Sequence, residues 1–291
     1  MKKKFVFCVS IALIFACLFN FSACNSTEKD NVVFAPDSIY YDGVRICGTD
    51  LDFCINYVYS GNQPTFEIKA MDGDNLNFTS IACSDATSDF EKDVSVDGYK
   101  LGCLYIDLEY GSALEGKKVV INSIDFSVDG TEKKLTFEKP IKIYLESPDA
   151  NTGILDLEMV ASTTSIGSDG YSIVYTCQDN ITLNSISLGD YLNLEDATIS
   201  LIDKNSPENE TVIGTLSSLP CELSKGDTFS ISGTVVSPCE TSYQNFYSTT
   251  QLDYSCNGIT YSEYFKLYVD SLYETQESVE AAIGNILKYK E

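Results

Sequence analysis

The chain has 291 residues, with 43 acidic side chains against 19 basic ones, 11 Cys, and neither His nor Trp. That length suits two domains of ordinary size, and a 44% hydrophobic content is enough for packed cores rather than general disorder. A formal charge of −24 repels nucleic acid and anionic lipid headgroups, so nucleic-acid binding is excluded. Without His, neither Ser-His-Asp nor Cys-His catalysis is available, nor is His-ligated zinc or iron.

Lys2, Lys3 and Lys4 precede an apolar run from Phe5 to Phe19 that is short for a membrane span, so residues 1–23 read as an export signal. The run ends in Phe21-Ser22-Ala23-Cys24, which resembles a bacterial lipobox, with Phe21 where Leu is usual. The resemblance implies a lipid on Cys24, attachment to the cell membrane and an extracytoplasmic address at the cell surface. An ordinary secretory signal cut nearby is the alternative. Removing residues 1–23 takes three Lys and no acid, leaving a mature charge of −27. Residues 24–31 then form a polar tether.

Beyond the tether the chain repeats itself. At a shift of 118, Ile55, Tyr57, Asn62, Ile68, Asp72, Asn75, Leu76 and Ile81 meet Ile173, Tyr175, Asn180, Ile186, Asp190, Asn193, Leu194 and Ile199. Leu101 and Cys103 meet Leu219 and Cys221 at the same shift. Gly116 and Gly226 are 110 apart, and Ile124 to Gly130 matches Leu252 to Gly258 at 128. This reading gives the second copy an extra segment near Ser237 to Gln251. Asp129-Gly130 and Asn257-Gly258 are dipeptides of type I′ hairpins, in which both residues need φ > 0. Phe53, Ile55, Tyr57 and Tyr59 alternate along one strand face, as do Tyr171, Ile173, Tyr175 and Cys177.

Each copy holds about seven such strands, which predicts an immunoglobulin-type sandwich in each half, with a small barrel as the competitor. The expected domains are 32–146 and 154–270, joined by the turn-rich linker 147–153, with a C-terminal helix in 271–291. Leu252-Asp-Tyr254-Ser-Cys256 resembles the tyrosine corner and second cysteine of immunoglobulin domains, with Cys177 in the place of the first. The usual core Trp is missing. Tyr171 to Val236 also resembles the cell-adhesion-related Ig-like repeats of bacterial surface proteins, which implies spacer and adhesive roles. The fold class expected is all-β: two tandem Ig-like antiparallel β-sandwiches with a short C-terminal amphipathic helix.

After Cys24, four Cys fall in each copy: Cys47, Cys54, Cys83 and Cys103, then Cys177, Cys221, Cys239 and Cys256. An even count in an exported chain suggests disulfides. Cys177 and Cys256 both face inward, and both are replaced in the first copy, by Tyr59 and Val128. Their pairing is expected, leaving Cys221 with Cys239; buried free thiols are the alternative. Without Cys-x-x-Cys or His, no metal site is expected from these residues. Asp72-Gly73-Asp74-Asn75 is a weak Ca²⁺ candidate whose residues equally suit a turn.

The supposed extra segment carries Tyr243, Phe246 and Tyr247, and these are the expected binding residues, because the first copy builds its fold without them. Val279, Ala282, Ile283, Ile286 and Leu287 form an apolar helical stripe behind the N-cap Thr275, expected to dock on the second domain or on a partner. The reading is a non-catalytic, membrane-anchored surface module that binds a glycan or protein and needs no cofactor. A structural spacer or envelope-complex subunit is the alternative. A carboxylate-based glycan hydrolase is the distant one.

Overall fold

The computed structural model describes residues 31–46, 51–147, 153–161, 171–203, 206–237, 244–269, 273 and 275–290. The first half contains β1 (Val32–Phe34), β2 (Ile39–Ile46), β3 (Leu51–Ser60), β4 (Phe66–Asp74), β5 (Phe78–Asp85), the short helix α1 (Asp89–Asp93), β6 (Tyr99–Tyr110), β7 (Lys118–Val128) and β8 (Thr131–Glu146). The second contains β9 (Leu155–Ala161), β10 (Tyr171–Cys177), β11 (Ile181–Ser187), β12 (Asn193–Asp203), β13 (Ser206–Thr215), β14 (Cys221–Leu223), β15 (Thr228–Val236), β16 (Asn245–Cys256) and β17 (Ile259–Val269), followed by helix α2 (Gln276–Ile286).

One sheet of the first half runs β1-β3-β6-β5, and one of the second runs β9-β10-β15-β12-β13. With β2 set aside in the first half and β13 and β14 in the second, the remaining strands labelled A to G in chain order carry the A-B-E-D order of an immunoglobulin sandwich. The facing strands, β4-β7-β8 and β11-β16-β17, carry C-F-G. The chain is therefore two Ig-like sandwiches. The hairpins β7–β8 and β16–β17 turn on Asp129-Gly130 (φ +49° and +85°) and Asn257-Gly258 (φ +51° and +80°), the left-handed pairs that a type I′ turn requires.

The two C-F-G layers are not separate. Strand β2 runs parallel to β8 on one edge and to the start of β16 on the other, so one eight-stranded sheet passes through both sandwiches. Purely antiparallel pairing was expected, and β2 is the exception. A strand covered on both faces reads as a continuous apolar run, and Ile39-Tyr40-Tyr41 is buried throughout. Rungs Tyr40–Phe246 and Tyr41–Tyr247 stack their rings at 5.2 Å and 5.3 Å between centroids. Each sandwich lends one ring to the other: Tyr247 lies in the core of the first, Tyr40 in that of the second. Each such buried ring contributes roughly 1.5–3 kcal/mol.

Strand register also relocates the second copy's extra residues. Ile55 pairs with Leu104 and Ile173 with Ile231, so β6 and β15 correspond at an offset of 127 (Leu104 to Ile231). The matches of Leu101 and Cys103 to Leu219 and Cys221, and of Gly116 to Gly226, are coincidental. Between the fourth and fifth strands the first copy places α1, and the second places β13 and β14. The addition precedes β15, and residues 244–251 are not an insertion.

Helix α2 begins at Thr275, whose hydroxyl accepts the Ser278 N–H at 3.2 Å. Its stripe is buried, but on the first sandwich rather than the second. Val279, Ala282, Ile283 and Ile286 pack on Val33, Val58, Tyr99 and Leu101, on the outer face of β1, β3 and β6. That contact returns the C-terminal segment to the first strand of the fold.

Candidate functional site

Two of the three expected aromatic binding residues, Phe246 and Tyr247, are structural. Phe246 and Tyr247 are 1% and 3% exposed. The Tyr247 hydroxyl accepts the Cys54 N–H at 2.8 Å, and the Asn245 side-chain amide donates to the Cys54 carbonyl at 3.1 Å. Tyr243 lies outside the described residues, as do Cys24, Cys47 and Cys239. Cys177 and Cys256 sit in the second core as free thiols, so the expected bond between them is not formed. Burial, with Asp227 and Cys221 nearby, pushes the Cys177 thiol up to about 12. Cys221 is also a free thiol, half-buried against the same core. Tyr254 lies near the C-terminal end of β16, and its hydroxyl donates to Glu263 of β17 at 3.1 Å rather than forming a strand-start corner. Asp72 and Asp74 are exposed on β4, while the turn itself is made by Asn75 at φ +59°. Among the described residues, no group of three or more Cys, Asp or Glu is arranged to hold a metal ion.

A cleft opens instead where the sandwiches part. The ladder between β2 and β16 ends at Tyr41–Tyr247. Beyond it each strand stays with its own sandwich, and a space of about 340 Å³ lies between them. Asp42, Gly43 and Val44 of β2 and Tyr144 and Glu146 of β8 line one side. The other side is formed by Thr249 and Gln251 of β16, Tyr264 of β17, and Ser187, Gly189 and Asp190 around the β11–β12 turn.

The floor of the cleft is tightly held. The Thr249 hydroxyl accepts the Val44 N–H at 2.8 Å and donates to the Val44 carbonyl at 3.1 Å, standing in for the lost backbone rung. Ser248 donates to the Leu188 carbonyl. Gly189, at φ +80°, brings the turn so close that a Cβ there would lie 2.7 Å from Ser248 Oγ and 3.1 Å from the Asp42 carbonyl oxygen. Behind the floor, the guanidinium of Arg45 lies 5.2 Å from the Tyr41 ring centroid and donates to the Val44 carbonyl. Beside these contacts, Lys266 of β17 pairs with Asp52 of β3 at 2.5 Å.

Two chemistries meet in the cleft. Tyr144 is 41% exposed, with the Lys118 ammonium 4.9 Å from its ring centroid. Burial first, then the charges of Glu146 and Asp253, raise the Tyr264 hydroxyl, against the hydrogen bond from Ser262. Opposite the rings lie two carboxyl groups, that of Asp42, buried to 8% exposure, and that of Asp190. Burial, then Asp190, raises Asp42 to about 6, against the pull of Lys142 and Lys118. Sequence reasoning missed this cleft, although Asp190 had appeared as the repeat partner of Asp72.

No protein-family model and no curated protein matches the chain. Among solved structures it is similar to an endo-fucoidan hydrolase of glycoside hydrolase family 107 (11% identity, 83% of this chain, 28% of that one, TM-score 0.24). It is also similar to a protein of unknown function from Porphyromonas gingivalis (11%, 82% and 99%, 0.26) and to a three-immunoglobulin fragment of titin (9%, 82% and 64%, 0.20). At these values the Ig-like assignment rests on the strand order of the chain itself.

Proposed function

We propose that the chain is a non-catalytic binding module at the cell surface, anchored by a lipid on Cys24, that holds a neutral or amino-bearing glycan in the cleft between its sandwiches. The observation that supports this is the cleft's lining: two tyrosine faces for sugar rings beside Asp42, Glu146, Thr249 and Gln251 as partners for hydroxyl or amino groups. Its carboxylates disfavour sulfated and uronic-acid glycans.

The test is calorimetric titration of the full chain with chitin and cellulose oligosaccharides, beside Tyr144→Ala and Tyr264→Ala. Saturable binding lost in both variants, with folding intact, supports the module. Absence of binding to every oligosaccharide overturns the glycan reading and favours a structural spacer, which the shared sheet and the docked α2 would equally serve.

A further inference from the structure

We propose that the cleft selects its glycan by a free amino group: an ammonium on the sugar seats against the carboxyl of Asp42, with Asp190 and Glu146 adding negative charge around it. This inference rests on the glycan reading above and narrows it from neutral or amino-bearing sugars to the second class.

The lining offers acceptors and is short of donors. The Asp42 side chain faces the cleft from the end of the β2–β16 ladder and is 8% exposed. Ser248 serves only its backbone carbonyl, at 3.4 Å, and no N–H or hydroxyl among the described residues donates to its carboxyl. Gln251 turns its side-chain nitrogen to Asp253 at 2.8 Å. Against burial, hydrogen bonds from Gln251, Ser262 and Ser185 hold Asp253 below the ordinary carboxylate range, so it accepts rather than donates. The carbonyl oxygen of Gln251 is then an acceptor for the cleft. Thr249 has already given its proton to the Val44 carbonyl. The other hydroxyls of the lining, on Ser187, Tyr144 and Tyr264, carry no charge.

Charge points the same way. Asp42, Glu146 and Asp190 line the cleft, and no Lys or Arg is among its lining residues. Lys142 of β8 and Lys118 of β7 act on Asp42 from outside the lining. Three carboxylates against those two ammoniums leave the site negative. A buried carboxylate without a donor is costly, and a ligand ammonium supplies both the opposite charge and three N–H donors. A bare metal ion fits less well. Among the described residues no group of three or more Cys, Asp or Glu is arranged to hold one, whereas calcium takes about six to eight oxygens. The tyrosines add the second requirement, since the rings of Tyr144 and Tyr264 offer apolar faces beside the carboxylates. An amino sugar carries both an apolar ring face and an ammonium.

The test is calorimetric titration of the full chain, at about 0.15 M salt to screen general attraction, with chitosan, chitin and cellulose oligosaccharides of equal length and with spermine, a cation without rings. The chitosan oligosaccharide should bind about ten- to hundredfold more tightly than chitin or cellulose, the gain of a charge-assisted hydrogen bond. Asp42→Asn should abolish that preference, and Asp190→Asn, at an exposed position, should reduce it, with thermal midpoints confirming that both variants fold. Equal affinity for the chitosan and chitin oligosaccharides would overturn the ammonium seat and leave the glycan reading standing. Spermine binding as tightly as chitosan, with no effect of Asp42→Asn, would also overturn it, as general attraction to an acidic chain. Absence of binding to all three oligosaccharides would overturn both readings.

Discussion

Replacing Tyr247 separates a junction residue from a surface one. Its ring is 3% exposed in the first core and stacks on Tyr41, while its hydroxyl bonds to β3. Tyr247→Phe keeps the ring and loses one neutral hydrogen bond, a cost of about 1–1.5 kcal/mol. Tyr247→Ala also removes a buried aromatic ring and leaves a cavity, for about 3–5 kcal/mol in all. Against a total of about 5–15 kcal/mol for a folded domain, the larger loss is a substantial fraction. Urea unfolding followed by tyrosine emission reports this directly, because the chain has no Trp. The Phe variant should shift the midpoint modestly and the Ala variant strongly, with both sandwiches affected. If Tyr247→Ala unfolds at the original midpoint yet loses glycan binding, the ring serves recognition and the junction argument fails.

Other outcomes follow from the same contacts. Ile283→Ala, at a residue fully buried against β3 and β6, should cost about 2–5 kcal/mol and increase proteolysis of the C-terminal helix. An unchanged thermal midpoint would contradict docking in cis. Gly189→Ala should destabilise the junction, since its Cβ meets Ser248 Oγ at 2.7 Å in a left-handed conformation. A neutral result in urea would show that the turn has room to move. The Cys177 thiol, held near 12, should resist alkylation in the native state near pH 8 and react once unfolded. Peptide mapping that finds Cys177 bonded to Cys256 would reverse this.

What the sequence revealed was local. Asp129-Gly130 and Asn257-Gly258 announce their turns because a type I′ pair depends only on its own φ angles. The stripe of α2 was legible from helical spacing, but spacing cannot say which sandwich receives it. Cys177 and Cys256 do face inward, yet a shared register is not proximity, and both remain thiols. Phe246 and Tyr247 misled for a physical reason: exposed binding aromatics and rings sealed within a shared sheet have the same composition. The Asp42–Asp190 pair was invisible, because 148 positions separate two residues that meet only when β2 joins both sandwiches.

The most direct test of the account is to map a bound oligosaccharide on the full chain by hydrogen exchange, with a chitin oligosaccharide as probe. The account predicts added protection concentrated in 42–44, 144–146, 187–190 and 249–251, the segments that line the cleft. Protection confined to another surface, or none at saturating oligosaccharide, would contradict it.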